Sequence, residues 1–485
     1  MHHLSKILVQ FILHVILLLL CLGSMELQAQ NRKSSTNVNI NNGKTTITVK
    51  NGRGNNFSLE FEGDITLSDD DKDIIAISRG GYVEIKKSAF GSRRRIFMEP
   101  DNSGRLIKKY YIGSSEKSFD PEGKKWLAEI LPEVLRSSTI GSKQRVDRMY
   151  ARGGANAVLR EVGYIDSDFV KSHYIKLLLN KKLKNSDLIA ILDVVGEDIH
   201  SDHHQAQILK HNTKVFLSSD ATTSAYIMAA GEINSDHHKA EVLKSSIRDG
   251  AISGGQMKAL FAITEDINSD HHKASVLLEA MKNRSLSPEN INLLVATSRD
   301  INSDHHKAQV LKKALQLPGL SESGYTTFLR SVENINSDHH IASVFTELLK
   351  KRVDGASLSD LLQLAGSSIN SDYHLSSVLK KAVQQQELND QNLKYLLSAV
   401  KRVNSDVHMA SVFKELSKQN INDSSLVSVL ETTKGISSDH HQAEALLAFA
   451  SKVKQKGSTI KDAYREACGH ISSESHYGRA IRAIQ

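Results

Sequence analysis

Two hydrophobic rhythms divide this chain. Up to about residue 118, apolar residues alternate with polar ones: Val38 and Ile40, Ile47 and Val49, then Phe57, Leu59, Phe61, Ile65 and Leu67. A period of two belongs to strands with one buried face. Asn42-Gly43, between the first two runs, marks a tight hairpin turn. Residues 74–77, 81–85, 96–98 and 106–112 supply further short strands, so residues 30–118 read as a β-rich head. The rhythm then lengthens. Asp120-Pro121-Glu122 starts a helix carrying Trp126, Leu127, Ile130, Leu131 and Leu135, and residues 119–164 read as a helical connector.

From residue 165 onward the helical pattern repeats. An aspartate recurs as Asp168, Asp202, Asp236, Asp270, Asp304, Asp338, Asp372, Asp406 and Asp439, the first eight spaced by 34 residues and the last by 33. Glu474 closes the series in altered form. A period of this size suits two antiparallel helices and two short turns. In one unit, Asn268 and Ser269 offer N-cap oxygens to free amides, and Asp270 places a negative charge at the positive end of the helix dipole. Ile267 staples the turn to the core, and Ala274, Val276, Leu277 and Met281 form the apolar stripe. Ser287-Pro288-Glu289 opens the next helix. The aspartates from Asp202 to Asp439 are therefore expected as structural caps. The fold class is α+β: a small N-terminal antiparallel β domain followed by an α-solenoid of about ten 34-residue helical hairpins over residues 165–485. Tetratricopeptide arrays share the period, but their tryptophan, leucine-glycine, tyrosine and proline pattern is missing.

Composition supports this picture. Five prolines in 485 residues suit a mostly helical chain. Residues 1–29 have the parts of a secretory signal peptide: Lys6, an apolar run over residues 7–22, and Leu27-Gln28-Ala29 at the cleavage position. Lipid anchoring through Cys21 is the alternative, disfavoured by the bulky Leu20 before it. The expected location is the periplasm or the extracellular space, with no membrane span after cleavage. Cys468, the one thiol beyond the leader, reads as a small buried hydrophobe. Charge is uneven: residues 30–164 hold 24 Lys and Arg against 17 Asp and Glu, which leaves the repeats balanced at 37 against 37. The repeats thus have no general basic footprint, and no nucleic-acid partner is expected. Arg93, Arg94, Arg95, Lys108 and Lys109 in the head are the candidate patch for an anionic partner.

The string Ser303-Asp304-His305-His306 contains the residue types of a hydrolase triad. Consecutive helical residues point about 100° apart, so these side chains cannot relay a proton among themselves. Metal binding is the sharper question. A histidine stands two after the aspartate position in nine successive units, and all 19 histidines beyond the leader lie between His173 and His476. Equivalent residues in neighbouring hairpins would stand ~8–10 Å apart, too far to share one ion, and no HExxH pair occurs. No metal site and no cofactor is therefore expected, the nearest candidates being His238, His272, His306 and His340. Asp69-Asp70-Asp71-Lys72-Asp73 lacks the glycine and distal glutamate of a calcium loop and reads as an exposed turn. Gly153-Gly154 and Gly254-Gly255 fit no phosphate loop.

The Ile-x-Ser-Asp turn followed by Ala-x-Val-Leu resembles the "ISSDYE…VL" helical repeats of exported bacterial proteins. Gly80-Gly81-Tyr82-Val83-Glu84-Ile85 and Gly123-Lys124-Lys125-Trp126-Leu127 look like the same group, so the resemblance covers most of residues 57–485. Similar regions occur beside antibiotic-sensing membrane metallopeptidases of the BlaR/MecR type. The peptidase motif is absent here, and histidines replace the usual tyrosine-glutamate in most units. Solenoids offer long surfaces and rarely carry chemistry themselves, so the expected function is a non-catalytic exported scaffold or sensor module in the bacterial envelope, with another envelope protein as its partner. The alternatives are a metal- or pH-responsive protein using the histidine ladder and, third, an enzyme with a site in the head.

Overall fold

The computed structural model describes residues 35–485, except short segments at 42–43, 52–54, 90–91, 250–251, 253, 283–285, 319 and 321. The expected leader, with Cys21, and the Asn42-Gly43 turn lie outside the described residues. The chain divides into two compact units, the first ending at Leu183 and the second running from Lys184 to Gln485.

Among the described residues the first unit contains nine strands: β1 Ser35–Asn41, β2 Lys44–Asn51, β3 Asn55–Glu62, β4 Ile65–Leu67, β5 Ile74–Ile77, β6 Tyr82–Ala89, β7 Ser92–Pro100, β8 Leu106–Ile112 and β9 Ser115–Lys117. Seven form an antiparallel sheet in the order β1-β2-β3-β6-β7-β8-β9, and β4 and β5 form a separate ribbon. Alternation sends Ile47, Phe57, Leu59, Val83, Ile85, Ile96, Met98 and Tyr110 to one face, where they are buried. That face is covered by helix α1, Lys124–Arg136, whose Trp126, Leu127, Ile130, Leu131, Val134 and Leu135 join the same core. The first helix of the segment expected as a connector thus packs into the head core, because its apolar stripe matches the open side of the sheet. Helix α2, Ser142–Val162, breaks at Gly153 and Gly154, the latter in a positive-φ conformation (φ 63°) that favours glycine. Helix α3, Asp168–Leu179, carries the first copy of the repeated motif and clusters with the sheet-bearing unit.

The second unit is α-solenoid-like. One layer of helices, here the A layer, comprises Asn185–Glu197, Asp220–Gly231, Gly254–Glu265, Pro288–Thr297, Glu322–Val332, Gly355–Ser368, Asp390–Val400, Asp423–Thr433 and Ser458–Cys468. Between them run the B helices: Asp202–His211, Asp236–Asp249, Asp270–Ala280, Asp304–Ala314, Asp338–Leu348, Asp372–Gln385, Asp406–Leu416, Asp439–Lys454 and Glu474–Arg482. Each A helix packs on the next A helix and each B helix on the next B helix. The isoleucine before each B helix (Ile233, Ile267, Ile301, Ile335 and Ile369) is buried, as a staple requires. No helix among the described residues is long and apolar enough to cross a membrane.

Candidate functional site

Every B helix that begins at one of the eight aspartates from Asp202 to Asp439 starts the same way. The preceding Ser201, Ser269, Ser303, Ser337, Ser371, Ser405 and Ser438 have extended backbone, and in several units the serine hydroxyl accepts from the third amide of the helix: Ser269 from His272, Ser303 from His306 and Ser371 from His374, each at 3.4 Å. The aspartate does more than meet its own helix dipole. Its carboxylate crosses to the next hairpin and accepts that hairpin's turn amides. Asp236 takes Asn268 N–H at 3.1 Å and Ser269 N–H at 2.7 Å, and Asp270 takes Asn302 at 2.9 Å and Ser303 at 2.7 Å. Asp202, Asp304, Asp406 and Asp439 do the same to both amides of the following turn. Asp338 holds Ser371 N–H and Asp372 holds Asn404 N–H. The carboxylates are therefore clamps between hairpins, with the dipole contribution alongside. Their regular spacing signals a structural role, but the receiving amides are invisible until neighbours are stacked.

The histidines follow directly. The first after each aspartate is exposed and the second half-buried. Equivalent rings do not meet. Instead, the exposed ring of one hairpin stands edge-on to the half-buried ring of the next: His203 to His238 at 5.5 Å between centroids, His237 to His272 at 5.4 Å, and His271 to His306 at 5.5 Å. His305 to His340 at 5.8 Å, His339 to His374 at 5.5 Å and Tyr373 to His408 at 5.9 Å continue the row. Within each hairpin the two rings are also about as close, for example His305 and His306 at 5.3 Å. An unbroken line of ring contacts thus runs from His204 to His408; Val407 interrupts it, and His441, His440 and His476 resume it. These contacts leave the expected separation of equivalent residues in place. That estimate used equivalent positions, whereas the ~100° step between successive helical residues swings one ring toward its neighbour's hairpin.

Burial, then His237 and His203, hold His238 below the ordinary histidine range, helped by Lys210 and opposed by Asp202. His272 is lowered in the same way by burial, His271, His237 and Lys244 against Asp236, and His340 by burial, His339, His305 and Lys312 against Asp304. A lowered folded pKa means that the unfolded chain takes up its proton first as pH falls through the ordinary histidine value of 6.5. The contribution of these three groups to stability is thus complete above that pH and is lost below it. The melting temperature of the repeats is expected to drop by a few degrees between pH 7.5 and 5.5, read by circular dichroism. A flat profile would show that the aspartates cancel the effect.

One polar position was not anticipated. Lys239, Lys273 and Lys307, next in sequence after the half-buried histidines, are buried. Lys307 donates to Asn334 O at 3.0 Å and Lys273 to Asp300 O at 3.4 Å, so the ammonium groups cap the end of the following A helix. Burial lowers the Lys307 pKa. Among the described residues no group of three or more His, Cys, Asp or Glu is placed to hold a metal ion. Cys468 is fully buried, and burial pushes its thiol up to about 12.

The basic run of the head does not form one patch. Strand alternation puts Arg94 on the α1 side of the sheet, in a cleft with Lys87, Trp126 and Glu129, while Arg93 and Arg95 face the other way. Arg95 pairs with Glu84 at 3.2 Å and lies 3.9 Å over the Tyr111 ring, and Lys108 is bound to Asp73. Lys109 stands on the Arg95 face, opposite Phe97. The acidic turn is likewise not simply exposed. Asp71 accepts from Arg145 at 2.9 Å and from Arg148, and Arg145 also reaches Glu161 at 2.7 Å and the Tyr174 hydroxyl. Glu161 completes a bidentate pair with Arg136 at 2.9 and 3.0 Å.

The A layer carries a second surface feature. Three adjoining clefts of about 380, 530 and 580 Å³ cross the helices Glu322–Val332, Gly355–Ser368, Asp390–Val400 and Asp423–Thr433. Gln363 and Ser367 line the first and second, and Ser398 the second and third. Arg330, Glu333, Tyr395 and Arg402 stand along this path and do not recur from hairpin to hairpin.

No protein-family model matches the chain, and no curated protein is similar to it. Among solved structures, it is similar to one described as "APUM23-deletion-of-insert-region-GGAAUUGACGG", with 13% identity, 75% of this chain and 89% of that chain covered, and a TM-score of 0.28. That likeness is too loose to bring a ligand across.

Proposed function

We propose that the protein is a non-catalytic, exported scaffold or sensor module of the bacterial envelope, whose array of about ten 34-residue hairpins presents a binding surface to another envelope protein. The observation that carries this is the line of three clefts across the A layer. The B helices repeat their surface residues nearly unchanged, whereas Arg330, Gln363, Tyr395 and Arg402 vary along the clefts. In repeat arrays stability comes from the repeated positions and specificity from the varied ones. The signal-peptide pattern of residues 1–29 and the resemblance to exported bacterial repeat proteins support the location.

The test compares the intact protein with Arg330→Glu/Arg402→Glu, two exposed changes that leave the buried core untouched. Both are crosslinked in envelope preparations of the native host. A partner captured by the natural sequence and reduced at least tenfold by the double variant, with unchanged circular dichroism, is the expected result. Equal capture by both would move recognition away from the clefts.

A further inference from the structure

We propose that the histidine ladder is a row of two-imidazole sites for divalent late transition-metal ions, each shared by the exposed histidine of one hairpin and the half-buried histidine of the next. Six such pairs exist among the described residues, His203/His238 through His339/His374 and then His440/His476. An ion bonded at ~2.0–2.1 Å to a ring nitrogen lies about 3.2 Å from the ring centre, so two rings on one ion have centres roughly 5–6 Å apart. The six pairs stand at 5.4–5.8 Å.

The chemistry of the donors names the class of ion. Imidazole suits copper, nickel and zinc, and at a nitrogen site copper(II) binds most tightly of these. Calcium and magnesium need oxygen donors, and the nearest carboxylates are engaged: both oxygens of Asp236 or Asp270, for example, accept backbone amides of the next turn. Two protein donors leave the rest of the coordination sphere to water. Binding is therefore weak per site and reversible, and its capacity comes from repetition. A cation at a helix N-terminus is disfavoured by the dipole, and the aspartate one residue before each exposed histidine offsets this. Dications on successive rungs repel one another, so later ions bind less tightly than the first.

The sequence contains its own interruptions. Tyr373 and Val407 occupy the exposed position in two successive hairpins, so His408 and His441 have no imidazole partner from the preceding hairpin. The row is five consecutive sites, a gap, and one more. Restoring histidine at those two positions should restore two sites.

The experiment equilibrates the full chain with copper(II), and separately with zinc(II) and magnesium(II), and counts bound ions by elemental analysis. The variant His203→Asn/His237→Asn/His271→Asn/His305→Asn/His339→Asn alters only exposed side chains and is checked by circular dichroism. It should bind about five fewer copper ions per chain than the natural sequence, the number of consecutive pairs it removes. Tyr373→His/Val407→His should bind about two more, and His211→Asn/His470→Asn, outside the ladder, should change nothing. Electron paramagnetic resonance of the copper-loaded natural chain, which needs no variant, should show two coordinated nitrogens. Copper uptake that survives the five-fold variant, fewer than two ions on the natural chain, or magnesium bound as well as copper would overturn the proposal.

Discussion

Replacing Glu161 with alanine is expected to destabilise the first compact unit by about 3–5 kcal/mol, the cost of removing one partner from a buried ion pair. Glu161 sits between Arg136 and Arg145, and the Arg145 side chain is only 5% exposed. The cluster holds three cations, Arg136, Arg145 and Arg148, against two carboxylates, Asp71 and Glu161. Without Glu161, Arg145 and Arg148 share Asp71, and Arg136 loses its carboxylate. Arg145→Met is expected to cost less, although it removes more contacts, because Glu161 keeps Arg136 and Asp71 keeps Arg148. Trp126, the single tryptophan, lies in the core of this unit, so its fluorescence during urea unfolding reports on the head alone. The reverse order of the two variants would mean that packing of Arg145 against Tyr174, rather than charge balance, holds the cluster. Acid should act on the same group. Burial raises the Glu161 pKa, but its hydrogen bonds from Arg136 and Arg145 outweigh this and hold it below the usual carboxylate range. Its contribution is present above the ordinary glutamate value of 4.5 and is lost as pH falls through the lowered folded value.

What the sequence discloses and what it hides separate by range. The helix starts, the staples and the strand alternation of the head are local, set by caps and by periods of 3.6 and 2, and they are legible residue by residue. Asp71 is different. In sequence it belongs to a solvated acidic turn, and only the fold brings Arg145, 74 residues away, to it. The split of Arg93-Arg94-Arg95 was legible in principle, since successive strand residues face opposite sides. A charge run looks like a patch only when that alternation is ignored. The histidine contacts between hairpins lie in between. The repeat places the rings on one edge, but the stagger of neighbouring B helices decides which ring meets which.

The aspartate clamps lead to the second large effect. Asp304→Ala should cost about 2–3 kcal/mol, since a bond from an amide to a charged group contributes roughly 1.5–3 kcal/mol net, and one of the two amides that Asp304 holds is exposed. Asp304 accepts from Asn336 and Ser337, at 3.2 and 2.8 Å, and both belong to the following hairpin. The exposed Asn336 amide finds water when the carboxylate is gone, whereas that of Ser337 is half-buried and does not find it as readily. The energy therefore lies in the coupling between hairpins. In a linear array stability is a sum of unit terms and nearest-neighbour terms, and weakening one neighbour term loosens cooperativity as well as lowering stability. The urea transition of Asp304→Ala should broaden or split, with a smaller m value, and hydrogen exchange should accelerate first around Ser337. Ser303→Ala is the contrasting change, because Ser303 caps only its own helix at 3.4 Å. It should cost about 0.5–2 kcal/mol and leave the transition sharp. If both variants merely shift a sharp transition, the aspartate acts as a local cap and hairpin coupling rests on the apolar stripes alone. If Asp304→Ala alone splits it, the carboxylate repeated along the B helices is what makes the hairpins unfold together.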